Sequence, residues 1–217
     1  MAITINGTTV TGITLNGASV NTVTCNGTTV FSSMQDYTFP NSSKHFPVNL
    51  YDASSTYCGI TVSFVNRNSV KNSADKAFDM SNDTFFAGTT GTNSVSATTG
   101  VHIVFPFSIC VKSVSISNPY NTSGYTNSNK HGLQYGYIYL RANSPNDTAS
   151  TFATIQGRSV ADKVTTSYSA PSSLANSYVK CVSVIGTRWG ATDWHSIGRV
   201  SIAFSAKTSD LRAYGLL

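Results

Sequence analysis

The sequence predicts an all-β protein: a short N-terminal meander of hairpins followed by a jelly-roll β-sandwich. Three observations carry the prediction. Apolar and polar residues alternate with a period of two in segment after segment, as in VHIVF and RVSIAF, and this is the pattern of a sheet buried on one side. No segment sustains the 3.6-residue period of an amphipathic helix. Finally, the polar share of the 217 residues is Ser, Thr and Asn rather than charge. Charged residues are 11%, against roughly 25% in ordinary domains. All nine acidic residues are aspartate, and glutamate, a good helix former, is absent.

The chain divides into three parts. Residues 1–33 form a β-repeat module, 34–54 a linker, and 55–217 the sandwich. In the first part Asn-Gly recurs every ten residues, at Asn6-Gly7, Asn16-Gly17 and Asn26-Gly27. Asn-Gly is the strongest short signal for a two-residue hairpin, because a type I′ turn needs positive φ at both central positions. The flanks alternate, with Ile3, Ile5 and Val10 on one face and Thr4 and Thr9 on the other. Strands of three or four residues bury too little to stand alone, so the module is expected to dock on copies of itself or on a larger assembly. The stretch from Phe31 to Pro47 holds turn formers and two prolines, which suggests a connection between modules.

Beyond it the clearest strands are 60–64, 101–105, 113–117, 135–140, 179–185 and 199–204. In the last, Val200, Ile202 and Phe204 are expected inside and Ser201, Ala203 and Ser205 outside. Only SADKAF and SSLAN suit a helical turn. The connections 118–133 and 143–151 are long and rich in Asn, Ser, Gly and Tyr, which suits a sandwich.

Several function classes lack support. The net charge is +5 with a pI near 9.0, yet the basic residues are dispersed, so no nucleic-acid partner is expected. No apolar run is long enough to span a membrane, and no secretory leader is visible. Cys25, Cys58, Cys110 and Cys181 form no CxxC pair, which argues against zinc and suits free thiols made in a reducing compartment. His45, His102, His131 and His195 lie far apart. No GxSxG elbow, phosphate loop or obvious carboxylate pair occurs, so the chain is expected not to be an enzyme.

Aromatic and polar residues cluster in two places. GTRWGATDWHSIG gathers Arg188, Trp189, Asp193, Trp194 and His195 and holds both tryptophans of the chain. NPYNTSGYTNSNKHG adds Tyr125 and His131, along with Tyr120, Asn127 and Lys130. Rings that stack on the CH faces of a sugar, beside groups that bond its hydroxyls, make a carbohydrate site. The alternative for each tryptophan is that it plugs the core.

Two resemblances sharpen these expectations. INGTTV…ITLNGASV…VTCNGTTVF is similar to the short NG-x-x-V repeats that open structural proteins of tailed bacteriophages. That resemblance implies a virion protein of tail, head fibre or capsid decoration, made in the host cytoplasm. It would attach to other virion proteins through Asn6, Gly7, Asn16, Gly17, Asn26 and Gly27 and form a homo-oligomer. The order of features over residues 55–205 resembles a discoidin-type, galactose-binding-like jelly roll, which implies binding of a host-surface glycan. In that family an Ala-x-Asp-Gly corner is common. Here Ala77, Asp79, Asp83, Thr84 and Phe86 stand at comparable places, with Met80 in place of Gly and Arg199 near the usual position of an acidic residue. Asp79 and Asp83 are candidate ligands for a structural calcium, or caps of their own turn; no other cofactor is expected. Rival readings are a decoration subunit without a ligand and a free bacterial lectin or carbohydrate-binding module.

Overall fold

The computed structural model describes residues 4–5, 8–9, 13–15, 18–20, 22–25, 28–47, 54–65, 69–72, 74–80, 86–89, 96, 98–118, 132–159, 164–190 and 195–217. The first six strands are β1 (Thr4–Ile5), β2 (Thr8–Thr9), β3 (Ile13–Leu15), β4 (Ala18–Val20), β5 (Thr22–Cys25) and β6 (Thr28–Ser32). They pair as three antiparallel hairpins, each a separate two-stranded sheet. A single continuous meander was expected; among the described residues the hairpins do not join. The registers end at Ile5–Thr8, Leu15–Ala18 and Cys25–Thr28. The intervening Asn6, Gly7, Asn16, Gly17, Asn26 and Gly27 lie outside the described residues.

The body comprises β7 (Met34–Phe39), β8 (Ser54–Tyr57), β9 (Ile60–Val65), β10 (Ser69–Asn72), β11 (Phe86–Thr89), β12 (Thr99–Ser117), β13 (Leu133–Arg141), β14 (Ser150–Ile155), β15 (Thr165–Ser169), β16 (Tyr178–Trp189), β17 (His195–Ile197) and β18 (Arg199–Lys207). A six-residue helix, α1 (Thr208–Ala213), follows. The expected helical turns are 3₁₀ turns at Ala74–Phe78 and Ser172–Leu174.

β12 belongs to both layers of the sandwich. Its first half pairs with β9 and β16, and its second half with β18 and β15. The first layer runs β14-β13-β16-β12-β9-β8; the second runs β7-β18-β12-β15. The crossing falls between Val104 and Ile109, where the register with β16 breaks. Pro106, which has no N–H to give to a ladder, stands in that break. The sequence suggested two strands, 101–105 and 113–117; they are one.

A bulge keeps both halves of β12 facing inward. Val101, Ile103, Phe105, Ile109 and Val111 are buried, and then the phase flips to Val114 and Ile116. The flip coincides with an extra residue, Lys112, between the pairs Val111–Phe204 and Ser113–Ala203. Without such a bulge, one of the two apolar sets would face solvent. The displaced Lys112 bonds Asp36 at 2.6 Å. That bond, with a second from Ser205, holds the Asp36 carboxyl below its ordinary pKa.

The segment 34–54, expected as a linker, begins with β7, which pairs with β18 at the edge of the second layer. Phe39 and Phe46 are fully buried. Phe46 packs on Phe39, Tyr57 and Phe78 with centroids 6.0, 5.7 and 6.3 Å away, and Phe39 continues the cluster to Phe105. The prolines and turn formers that suggested a connection bracket residues that fill the core. Truncating Phe46 to alanine should therefore cost about 3–5 kcal/mol, measured by urea unfolding; a linker residue would leave the midpoint unchanged.

Candidate functional site at one end of the sandwich

β13 begins and β16 ends at the same end of the first layer, and their register places Leu133 opposite Trp189 and Tyr135 opposite Arg188. Shifts of register on both sides of Tyr135 re-aim it, as bulges at sheet ends do. Tyr135 is 39% exposed. The guanidinium of the exposed Arg188 lies over its ring, 5.6 Å from the centroid. The pair offers a flat aromatic surface next to a fork of donors, held by a cation–π contact.

Beneath it lies an interior assembled from glycine and rings. Trp189 is 1% exposed and stacks on the fully buried His195, with centroids 4.9 Å apart and planes 10° from parallel. A Cβ on Gly186 would lie 2.2 Å from the Trp189 ring, so only glycine admits the indole here. Trp189 and His195 were expected to touch sugar. Burial corrects that: both lie beneath Tyr135 and Arg188, and for Trp189 this is the core-plug alternative. Arg188 is at the surface. Asp193, Trp194, Tyr125 and His131 lie outside the described residues, in segments whose ends, Gly190, His195, Asn118 and Gly132, meet at this pole. Gly190 N–H donates to Gly132 O at 3.0 Å, and Gly132 bridges to Ser196.

Arg158 ties Asn118 and Leu133 to β15 and its approach, and no sequence reading selected it. It follows Gly157, whose φ of 58° suits glycine. Its buried guanidinium donates to five neutral oxygens: Ile116 O at 2.6 Å, Val164 O at 2.8 Å, Thr166 Oγ1 at 3.1 Å, Leu133 O at 3.4 Å, and Asn118 Oδ1. Asn118 Nδ2 in turn donates to Ser159 O at 2.8 Å. Burial pushes the Arg158 pKa below the ordinary guanidinium value, opposed by Tyr168. The charge therefore sits where its five bonds, rather than water, must sustain it.

Two further clusters bear on chemistry. His102 Nδ1 and Ser183 Oγ are 2.8 Å apart on the outer face of the first layer, with Cys181 Sγ 3.9 Å from Ser183 Oγ. Burial, then the charge of Arg141, lowers the His102 pKa to about 4. Ser183 and Cys181 are fully buried and His102 is half-buried, so the hydrogen-bonded serine presents no exposed oxygen. At the proposed calcium corner Asp79 is buried and Asp83 lies outside the described residues. Met80, at φ 61°, accepts from Arg199 Nη2 through its carbonyl at 2.9 Å. A cation there would compete with a guanidinium for that oxygen.

This sandwich is shared with solved carbohydrate-binding modules. The family 32 CBM of Clostridium perfringens NanJ, solved with galactose, matches 66% of this chain and 93% of its own at 14% identity, with a TM-score of 0.50. The CBM32-1 and CBM32-2 domains of Clostridium perfringens ZmpB, solved with GalNAc, match 76% of this chain at 14% identity and a TM-score of 0.52, and this chain covers 38% of theirs. A longer ZmpB structure that adds the M60 catalytic domain matches 78% of this chain at 12% identity and 0.52, with 17% of its own length covered. No protein-family profile and no curated protein matches the sequence. At such identities the likeness is one of fold, and the chain is a jelly-roll β-sandwich of the kind these modules adopt.

Replacing Arg158 with lysine keeps the charge but removes the fork. The expected result is a loss of about 1–3 kcal/mol in urea unfolding. Hydrogen exchange should rise at Asn118, Leu133 and Val164 and stay unchanged at Val62 and Ile103.

Proposed function

We propose that this chain is a glycan-binding protein whose sugar site is the pole built around Tyr135 and Arg188. The carrying observation is the exposed ring with a guanidinium over it, seated at the meeting point of the two sequence segments richest in aromatic and polar residues. Tyr135 supplies a face for the CH edge of a pyranose. Arg188 donates to adjacent hydroxyls in the fixed geometry of its fork. Asp193, Trp194, Tyr125 and His131 are the further contacts that the sequence proposes, with Asp193 as acceptor and the rings closing the sides. Galactose-configured sugars are the first class to examine, since fold neighbours were solved with galactose and with GalNAc. The action is binding; no bond is made or broken.

The decapeptide repeat supports a setting for this activity in a phage particle, docked through residues 3–31, with the sandwich displayed towards a host-surface glycan. A free carbohydrate-binding module fits the fold equally well, and the sugar site is common to both settings.

Titration calorimetry of galactose and GalNAc tests the site. Tyr135→Ala and Arg188→Ala should each weaken binding about tenfold, ~1.4 kcal/mol, without a shift in unfolding midpoint. Unchanged affinity in both variants would place the site elsewhere. Failure of the parent chain to bind any sugar on a glycan array would dispose of the lectin reading.

A further inference from the structure

The charge at the Tyr135 pole has one sign. Arg188 is exposed, and among the described residues its guanidinium stacks on Tyr135 but has no hydrogen bond and no ion pair. Arg158 is buried, and its five partners are all neutral oxygens. The two arginines flank a single ring. Arg188 lies over the face of Tyr135, while Arg158 bonds the strand just before it, N–H to Gln134 O at 3.1 Å and guanidinium to Leu133 O. The Tyr135 hydroxyl reaches towards the same turn, since a Cβ on Gly157 would lie 3.8 Å from it.

No described carboxylate answers these charges. Asp36 is on β7, Asp147 follows the far end of β13, Asp210 is on α1, and Asp75 and Asp79 are buried at the 3₁₀ turn after β10. None of the five bonds either arginine. The segments that begin and end near this pole, 119–131, 160–163 and 191–194, hold two lysines, Lys130 and Lys163, and two aspartates, Asp162 and Asp193. In charge they cancel, and the two arginines are left over.

A ligand that covers Tyr135 strips water from one side of Arg188, and a neutral hydroxyl offsets only part of that loss. A carboxylate offsets it with two parallel charge-assisted hydrogen bonds. The buried charge of Arg158 favours the same anion, because salt screens buried charges far less than exposed ones. A free inorganic anion would fill the fork and leave the ring bare. A pyranose that bears a carboxylate meets both, with its CH face on Tyr135 and its anion on Arg188. We infer that the pole selects acidic sugars, hexuronic acids, over their neutral counterparts; the inference rests on the sugar-site reading and narrows its ligand class.

Galactose and galacturonic acid differ at a single carbon, a hydroxymethyl group in one and a carboxylate in the other, so the pair isolates the charge. Titration calorimetry at low salt should show galacturonate bound about tenfold more tightly than galactose, and added salt should narrow the gap. Arg188→Gln should erase the preference, and Arg188→Lys should keep part of it, since the charge survives without the fork. Lys207→Gln removes one exposed positive charge at the opposite end of β18 and should leave the preference unchanged. Equal affinities for the two sugars, both lost in Tyr135→Ala, overturn the inference and keep the sugar site. Binding of neither sugar by the parent chain overturns both. A preference that survives Arg188→Gln, or that falls equally in Lys207→Gln, also overturns the inference, because its source is then not this pole.

Discussion

The sandwich depends on β12 lying in both of its layers. A strand of 19 residues that pairs first with β9 and β16 and then with β18 and β15 makes the two sheets one continuous hydrogen-bonded surface. That continuity imposes a constraint: the apolar face must stay inside while the strand changes partners. Two local devices meet it. The pairing lapses around Pro106 as the strand crosses, and the bulge at Lys112 resets the alternation by one residue. The rings of Phe39, Phe105 and Phe204 then bridge the layers, with Phe105 and Phe204 edge-to-face at 5.1 Å.

The same devices explain what the sequence showed and what it hid. The alternation over 199–204 and 135–140 was legible because each of those strands keeps one phase. β12 was read as two strands because its phase changes, and a flipped period looks like a break until a bulge accounts for it. β7 was hidden by its neighbours: MQDYTF ends at a proline and lies among turn formers, so the two buried phenylalanines at 39 and 46 had no strand-like context. β15, TTSYS, has no fully buried residue; an edge strand that contributes little to the core carries little apolar signal.

At the pole, residue type was a partial guide. Arginine, tryptophan and histidine in one short stretch marked the right region, but type alone does not say which of them faces solvent. Trp189 and His195 turn inward because Gly186 leaves room for the indole and Leu133 lies opposite it. Tyr135 was the missed surface residue, although a signal existed: in YGYIYL the tyrosines alternate with Gly136, Ile138 and Leu140, so burial of the latter set turns all three tyrosines outward. Tyr137 and Tyr139 then stack on each other at 5.4 Å, while Tyr135, past the register shifts, is left to Arg188. Arg158 had no sequence signal at all. Three of its five partners are backbone carbonyls, from three separate segments, and no residue pattern encodes a convergence of carbonyls.

At this pole Tyr135 and Arg188 lie outside, with a hydrogen-bonded arginine and a ring stack beneath. The claim that this pole is the sugar site is tested most directly by amide chemical-shift mapping of the isotope-labelled chain titrated with galactose or GalNAc. The account predicts saturable shifts centred on Tyr135, Gly157, Arg188 and Gly190, with none on Asp36, Ser115 or Ser205 of the opposite layer. Shifts confined to that opposite layer, or spread evenly without saturation, would contradict it.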